Sequence, residues 1–178
     1  MSARFIRHEA GAPLDVSPWP KVWFTGCTHF GHENIIRLAN RPFASLSDMD
    51  EELILRWNAK VSDDDLVCHL GDFAWSEPAH YAQELNGNLI QIKGNHDKSL
   101  PWKMHDYLTI RRGDARLVLF HYPIEEWDGY FRGAIHLHCH THSHERITAK
   151  QRFNVTVEAN DYAPVSLDDI LQQMETSA

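Results

Sequence analysis

The chain is short of positive charge, of cysteine and of long apolar runs, and each shortage excludes a class of function. It carries 17 Lys and Arg against 25 Asp and Glu, a net charge of −8 with histidine neutral, and no basic block. A duplex-binding surface needs a stripe of cations to displace counterions, so duplex nucleic acid is not an expected partner. A phosphate-bearing ligand has to find its positive charge locally, as bound metal for example, which favours a small phosphate ester. No run approaches the roughly 18 apolar residues of a membrane helix, and "MSARFIRHEAGAPLDVSPWP" lacks the apolar core of a secretory signal; no membrane partner is expected. Three cysteines, Cys27, Cys68 and Cys139, make no disulfide framework, which points to a reducing cytoplasm.

What is present describes one globular domain: 178 residues, 43% apolar and 24% charged. Pro13, Pro18 and Pro20 mark residues 1–20 as an N-terminal extension to a domain over 21–178. "KVWFT" reads as a strand stopped by Gly26-Cys27. "SLSDMDEELILRWNAKV" reads as an amphipathic helix entered at Ser47 and Asp50, with Met49, Leu53, Ile54 and Trp57 on its apolar face. "DLVCHLGDF" and "NLIQIKGNHD" are strands running into polar turns. "SEPAHYAQELNG" is a short helix with Ser76 as its cap, a proline in its first turn and Gly87 as terminator. "YLTIRRGDARLVLFHYP" gives two strands around Gly113-Asp114, "AIHLHCHTH" and "RFNVTV" two more, and "SLDDILQQM" a helix capped by Ser166. This mixture is α/β (α+β), with helices covering sheets.

Thirteen histidines are many for this length, and their placement carries the argument. Polar clusters follow the β-rich runs: Cys27 and His29, Asp72, Asn95 and His96, His121, His140 and His142. Ligand sites of α/β folds form where the carboxyl ends of strands meet, so five strand ends converge on one expected site. Four imidazoles, His29, His121, His140 and His142, suit Zn, Fe, Cu or Ni. Asp72 has two oxygens with which to bridge a metal pair, and Asn95 offers an amide oxygen. Two metals about 3.5–4 Å apart form a known arrangement for displacement at phosphorus, polarising the phosphoryl oxygens and activating a water as nucleophile. His96 is placed to protonate a departing alkoxide, with Asp97 beside it to orient the ring. His8, His80, His105 and His136 read as structural. Residues 136, 138, 140 and 142 alternate, so on a continuing strand they share a face.

These stretches resemble the calcineurin-like metallophosphoesterases. That family's motifs run D-x-H, G-D, G-N-H-[DE], a lone His and G-H-x-H. Here they stand as Cys27-Thr28-His29, Gly71-Asp72, Gly94-Asn95-His96-Asp97, His121 and Cys139-His140-Thr141-His142. The resemblance spans residue 21 to about 172, and "FTGCTHFGHENIIRLANRPF" is similar to the small single-domain bacterial and phage members. It implies a four-layer β-sandwich flanked by helices. It also implies a first metal on His29, Asp72 and His142, a second on Asp72, Asn95, His121 and His140, and His96 as the catalytic histidine. The reaction implied is hydrolysis of phosphodiesters or phosphomonoesters by a metal-bound hydroxide at a two-metal centre, usually with Mn, Fe, Zn or Ni.

Two positions depart from the family, with Cys27 for its Asp and Cys139 for its Gly. Three readings of Cys27 stand open. It ligates the first metal as a thiolate and biases the site toward Zn or Fe over Mn; it does not ligate, leaving a three-residue site; or it pairs with Cys139 in a redox-controlled disulfide. Cys68 reads as a small buried hydrophobe. The rivals to a hydrolase are a catalytically reduced metal-binding scaffold and a redox-sensitive metal–thiolate module. Specificity is expected from the loops "HFGHENI", "GDFAWSE" and "PIEEWDGYFRG", whose Phe30, Trp75, Trp127 and Tyr130 either stack on a base or pack.

Overall fold

The computed structural model describes residues 4–6, 8, 12–98 and 100–176. In chain order the strands are β1 (Arg4–Phe5), β2 (Leu14–Asp15), β3 (Val22–Thr25), β4 (Leu66–His69), β5 (Asn88–Ile92), β6 (Met104–His105), β7 (Tyr107–Arg112), β8 (Ala115–Phe120), β9 (Ile135–His138), β10 (Ile147–Ala149), β11 (Arg152–Asn154) and β12 (Val165–Ser166). The helices are α1 (Glu33–Leu38), α2 (Leu46–Lys60), α3 (Pro78–Glu84) and α4 (Leu167–Thr176). One sheet has the order β1-β5-β4-β3-β12, with β6 also on β5; the other runs β10-β11-β9-β8-β7-β2.

The first sheet is parallel except at β12, and a parallel sheet is stable when both faces are covered. Its side chains divide by strand alternation. Val22, Phe24, Leu66, Cys68, Ile90 and Ile92 meet Leu108, Ile110, Leu117, Leu119, Leu137 and Phe153 of the second sheet in one core. Trp23, Val67 and Leu89 point the other way, onto Met49, Leu53 and Trp57 of α2. The outer face of the second sheet carries Val118, covered by the Trp127–Ala134 loop. α4 adds Leu167 and Ile170 to the inter-sheet core. Two mixed sheets flanked by helices give the expected metallophosphoesterase-like fold. Cys68 is fully buried in the core, as expected, and among the described residues no helix is long and apolar enough to cross a membrane.

Details of the elements depart from the expectations. α2 is capped by Ser45, whose hydroxyl accepts the Asp48 N–H at 3.1 Å, rather than entered at Ser47 and Asp50. The apolar stripe sets this register: with Met49 inward, Ser47 faces solvent and bonds Glu51, while Asp50 is buried against Gly31 and Tyr81. α3 begins at Pro78 behind a left-handed Glu77 and has no side-chain cap, so Ser76 does not serve as one. The Ser166 cap of α4 forms as expected, accepting the Asp169 N–H at 3.1 Å. Described residues from the first twenty lie on both sheets: Arg4 and Phe5 pair with β5, Leu14 and Asp15 with β7, and Val16 is fully buried.

Candidate metal centre

Five strand ends deliver the expected side chains to one edge of the sandwich. The loop after β3 carries Cys27 and His29, and the turn after β4 carries Asp72. Asn95 and His96 follow β5, His121 follows β8, and His140 and His142 follow β9. The row from His136 to His142 does not continue as a strand. β9 stops at His138; His140 and His142 adopt φ of 65° and 51°, which turns them away from the buried His136 and His138. Cys27, His29 and Asp72 are left-handed as well, at 55°, 53° and 57°. Left-handed non-glycine residues cost roughly 1–3 kcal/mol each and collect at functional sites. Five of them here are expected ligands.

The contacts of His121 define one half of the centre. Its Nδ1 lies 2.8 Å from the Leu70 carbonyl, which can only accept, so Nδ1 carries the proton and Nε2 presents a lone pair. That Nε2 faces Asn95 Oδ1 at 3.0 Å, His140 Nδ1 at 3.2 Å and Asp72 Oδ2 at 3.4 Å. Burial pushes the Asp72 carboxyl up, but the hydrogen bond from the His96 N–H, 2.8 Å from Oδ1, is among the contacts that hold it below the usual carboxylate range. Burial also lowers His140. Four side chains with electron pairs to offer, Asp72, Asn95, His121 and His140, thus converge in an arrangement suited to a cation.

The other half gathers Cys27, His29 and His142, whose ligating atoms lie within 4.8 Å of one another. His29 is 2% exposed and its Nε2 has no hydrogen-bond partner among the described residues, with Asp72 Oδ2 3.6 Å away. Burial drives its pKa down to about 2, so it is neutral, with a lone pair to offer. His142 donates through Nδ1 to Glu158 Oε1 at 2.8 Å, the carboxylate–histidine pairing usual behind a metal ligand. Cys27 Sγ accepts the His140 N–H at 3.1 Å. Cys27 and Cys139 are both free thiols, with sulfurs within 4.8 Å, so the anticipated closeness exists without a disulfide. Burial, then the neighbouring Cys27, raises the Cys139 pKa well above 9; it remains a thiol and donates to the Leu70 carbonyl at 3.1 Å.

His96 is exposed, its ring centroid 5.4 Å from that of His29. Asp97 does not orient it. Its buried carboxylate accepts the N–H groups of Asp72 at 2.7 Å, Gly94 at 2.9 Å and Phe73 at 3.0 Å, locking the turn that carries Asp72 to the turn that carries Asn95. Gly94 permits that approach, since a Cβ there would lie 2.2 Å from Asp72 Oδ1.

Two buried residues lie outside the motifs. Arg41 spans Thr28 O at 2.8 Å, Cys27 O at 2.6 Å and, through Nε, Glu158 Oε1 at 2.9 Å. Burial opposes the charge on Glu158, but His142, Arg41 and Thr156 hold its pKa down to about 2. The only hint of either in the sequence is an acidic residue inside the otherwise uncharged "VTVEA". Of the loop aromatics, Phe30 is fully buried and Trp127 nearly so, while Trp75 is 59% exposed.

No protein-family model matches the chain. The uncharacterized protein MJ1445 of Methanocaldococcus jannaschii is 37% identical over 166 residues, covering 87% of this chain and 92% of the relative. The Gene 66 protein of Mycobacterium phage D29 is 26% identical, covering 81% and 92%. Among solved structures, AQ665 of Aquifex aeolicus, a protein of unknown function, superposes with a TM-score of 0.71 at 26% identity, covering 86% of this chain and 98% of its own. The chain thus belongs to one family with MJ1445, and its two-sheet fold, with the ordered motifs at one edge, is metallophosphoesterase-like in a small single-domain form.

Proposed function

We propose that the protein is a metal-dependent phosphoric ester hydrolase, acting on phosphodiesters ahead of phosphomonoesters. The observation that supports this most is the convergence of Asp72, Asn95 and His140 on His121 Nε2, a donor set suited to a cation. Cys27, His29, Asp72 and His142 would hold one ion, and Asp72, Asn95, His121 and His140 a second, with ionised Asp72 common to both. When bound, such ions neutralise phosphoryl charge and lower the pKa of water enough for it to attack at neutral pH.

The residues do the rest. Arg41 is committed to Glu158 and two carbonyls, so among the described residues an anionic substrate finds no uncommitted buried cation in the centre. His96 has its backbone N–H on Asp72 and its ring free beside His29. From there it delivers a proton to the departing oxygen. The nitrogen-rich donor set, with one sulfur, favours Zn or Fe over Mn.

Elemental analysis of the purified protein, with hydrolysis of bis(p-nitrophenyl) phosphate before and after chelation, tests the reading. Bound transition metal, metal-dependent turnover and a loss of about a hundredfold or more in His96→Ala are expected. Metal-free protein, or metal-bound protein that turns over no phosphate ester, would leave a binding scaffold instead.

A further inference from the structure

A cavity of about 200 Å³ opens beside His96, lined by Ala74, Trp75, Pro78, Asp97, Lys98 and Leu100. Its volume is below that of a pocket for a drug-sized ligand and suits one ring system. Trp75 is the exposed aromatic of this rim, and its ring stacks on His32 at 4.3 Å and 12°. His32 covers one face of the indole and does not itself line the cavity. His96 lies 5.6 Å from the same ring.

The platform is held from behind. The Trp75 N–H donates to Phe30 O at 2.8 Å, and Phe30 pairs with Ala74 in an isolated parallel bridge. Gly31, at φ +73°, lets Ser76 approach, since a Cβ there would meet Ser76 Oγ at 2.5 Å. A large aromatic fixed in solvent by its backbone and by a stacked histidine is pre-organised, and pre-organisation lowers the cost of binding. Isolated exposed aromatics need no explanation; this one shares a cavity with the residue assigned to the leaving group.

We infer that this cavity is the leaving-group subsite and that it takes a planar ring of the nucleobase type, stacked on the open face of Trp75, with Lys98 donating at the rim. The inference rests on the hydrolase reading, because His96 marks the leaving-group side only if it protonates the departing oxygen. The substrate class is then a nucleoside phosphodiester, short enough for a protein without a basic surface.

The test compares a thymidine dinucleotide with its analogue lacking both bases, so that the reacting diester and the alkoxide leaving group stay the same. In the metal-loaded wild type, kcat/KM for the dinucleotide should exceed that for the abasic diester by roughly 5- to 150-fold, the range of one base–aromatic stack. Trp75→Ala should bring the ratio close to one, and Trp75→Phe should retain most of it. Equal ratios in wild type and Trp75→Ala would overturn the subsite while leaving the hydrolase standing. If the wild type hydrolyses neither compound but does hydrolyse bis(p-nitrophenyl) phosphate, the hydrolase stands and the nucleoside substrate class is overturned; if it hydrolyses none of the three, the hydrolase reading fails. Calorimetry with thymidine 5′-monophosphate and deoxyribose 5-phosphate then decides the subsite: a Trp75-dependent preference for the base supports it, and equal affinities overturn it.

Discussion

The buried Arg41–Glu158 pair fixes both His142 and the loop that carries Cys27, so its effects should separate into stability and metal affinity. Glu158→Ala leaves an uncompensated guanidinium and should cost about 3–5 kcal/mol in denaturant unfolding of the metal-free protein. Glu158→Gln keeps the shape but weakens the acceptor for His142, and metal affinity should fall about 10- to 100-fold by competition with a chelator. Cys27→Ser should lower bound metal per chain, and Cys27→Asp should move the preference toward Mn; unchanged stoichiometry in the serine variant would remove sulfur from the ligand set. His69 provides a pH signature of its own. Gly71 donates to its Nδ1 at 3.2 Å, so Nε2–H faces Thr28 Oγ1 at 3.0 Å, and burial depresses its pKa to about 3. Since the folded pKa lies below the unfolded one, the neutral ring's contribution is complete above about pH 6.5 and is lost as pH falls toward 3. His69→Gln should flatten that limb of the stability curve by up to about 1.4 kcal/mol per pH unit.

At the scale of elements, the centre depends on how closely the turns after β4 and β5 approach, and Asp97 is the clamp between them. Gly94→Ala would press a methyl group into Asp72 and should cost about 3 kcal/mol together with most bound metal, measured by unfolding and elemental analysis. These turns were legible in the sequence because each β-rich run ends in residues useless to a strand and useful to a metal. The two-residue strands β1, β2, β6 and β12 were not, because such short strands are defined by their partners rather than by their own pattern. The α2 cap moved for a related reason: the buried stripe of Met49, Leu53 and Trp57 outweighs the local Ser–Asp signal. Arg41 and Glu158 stand 117 residues apart and meet only through the fold. The bend after His138 was equally hidden, since any non-glycine residue is uncommon in the left-handed region and nothing local in the sequence demands it there.

Taken whole, the molecule is unequal at its two ends. At one, His29, Asp72 and Asn95 from the first sheet face His121, His140 and His142 from the second. At the other, a cavity of about 560 Å³ opens among Ala115, Ile135, Ile147, Leu171 and Met174, with no candidate ligand cluster among the described residues. Metal at 100 times its dissociation constant should stabilise the fold by roughly 3 kcal/mol, seen as a rise in melting temperature that chelation reverses. The gain should not be shared evenly. Ions held by both sheets would act as a clasp at one mouth of a purse, and opening would then have to begin at the other. Native-state hydrogen exchange should show metal slowing the amides of β3, β4, β8 and β9 near the clasp while leaving β10 and α4 close to their metal-free rates. A protein fastened this way loses its unclasped end first, and can do so while the site that defines it stays shut.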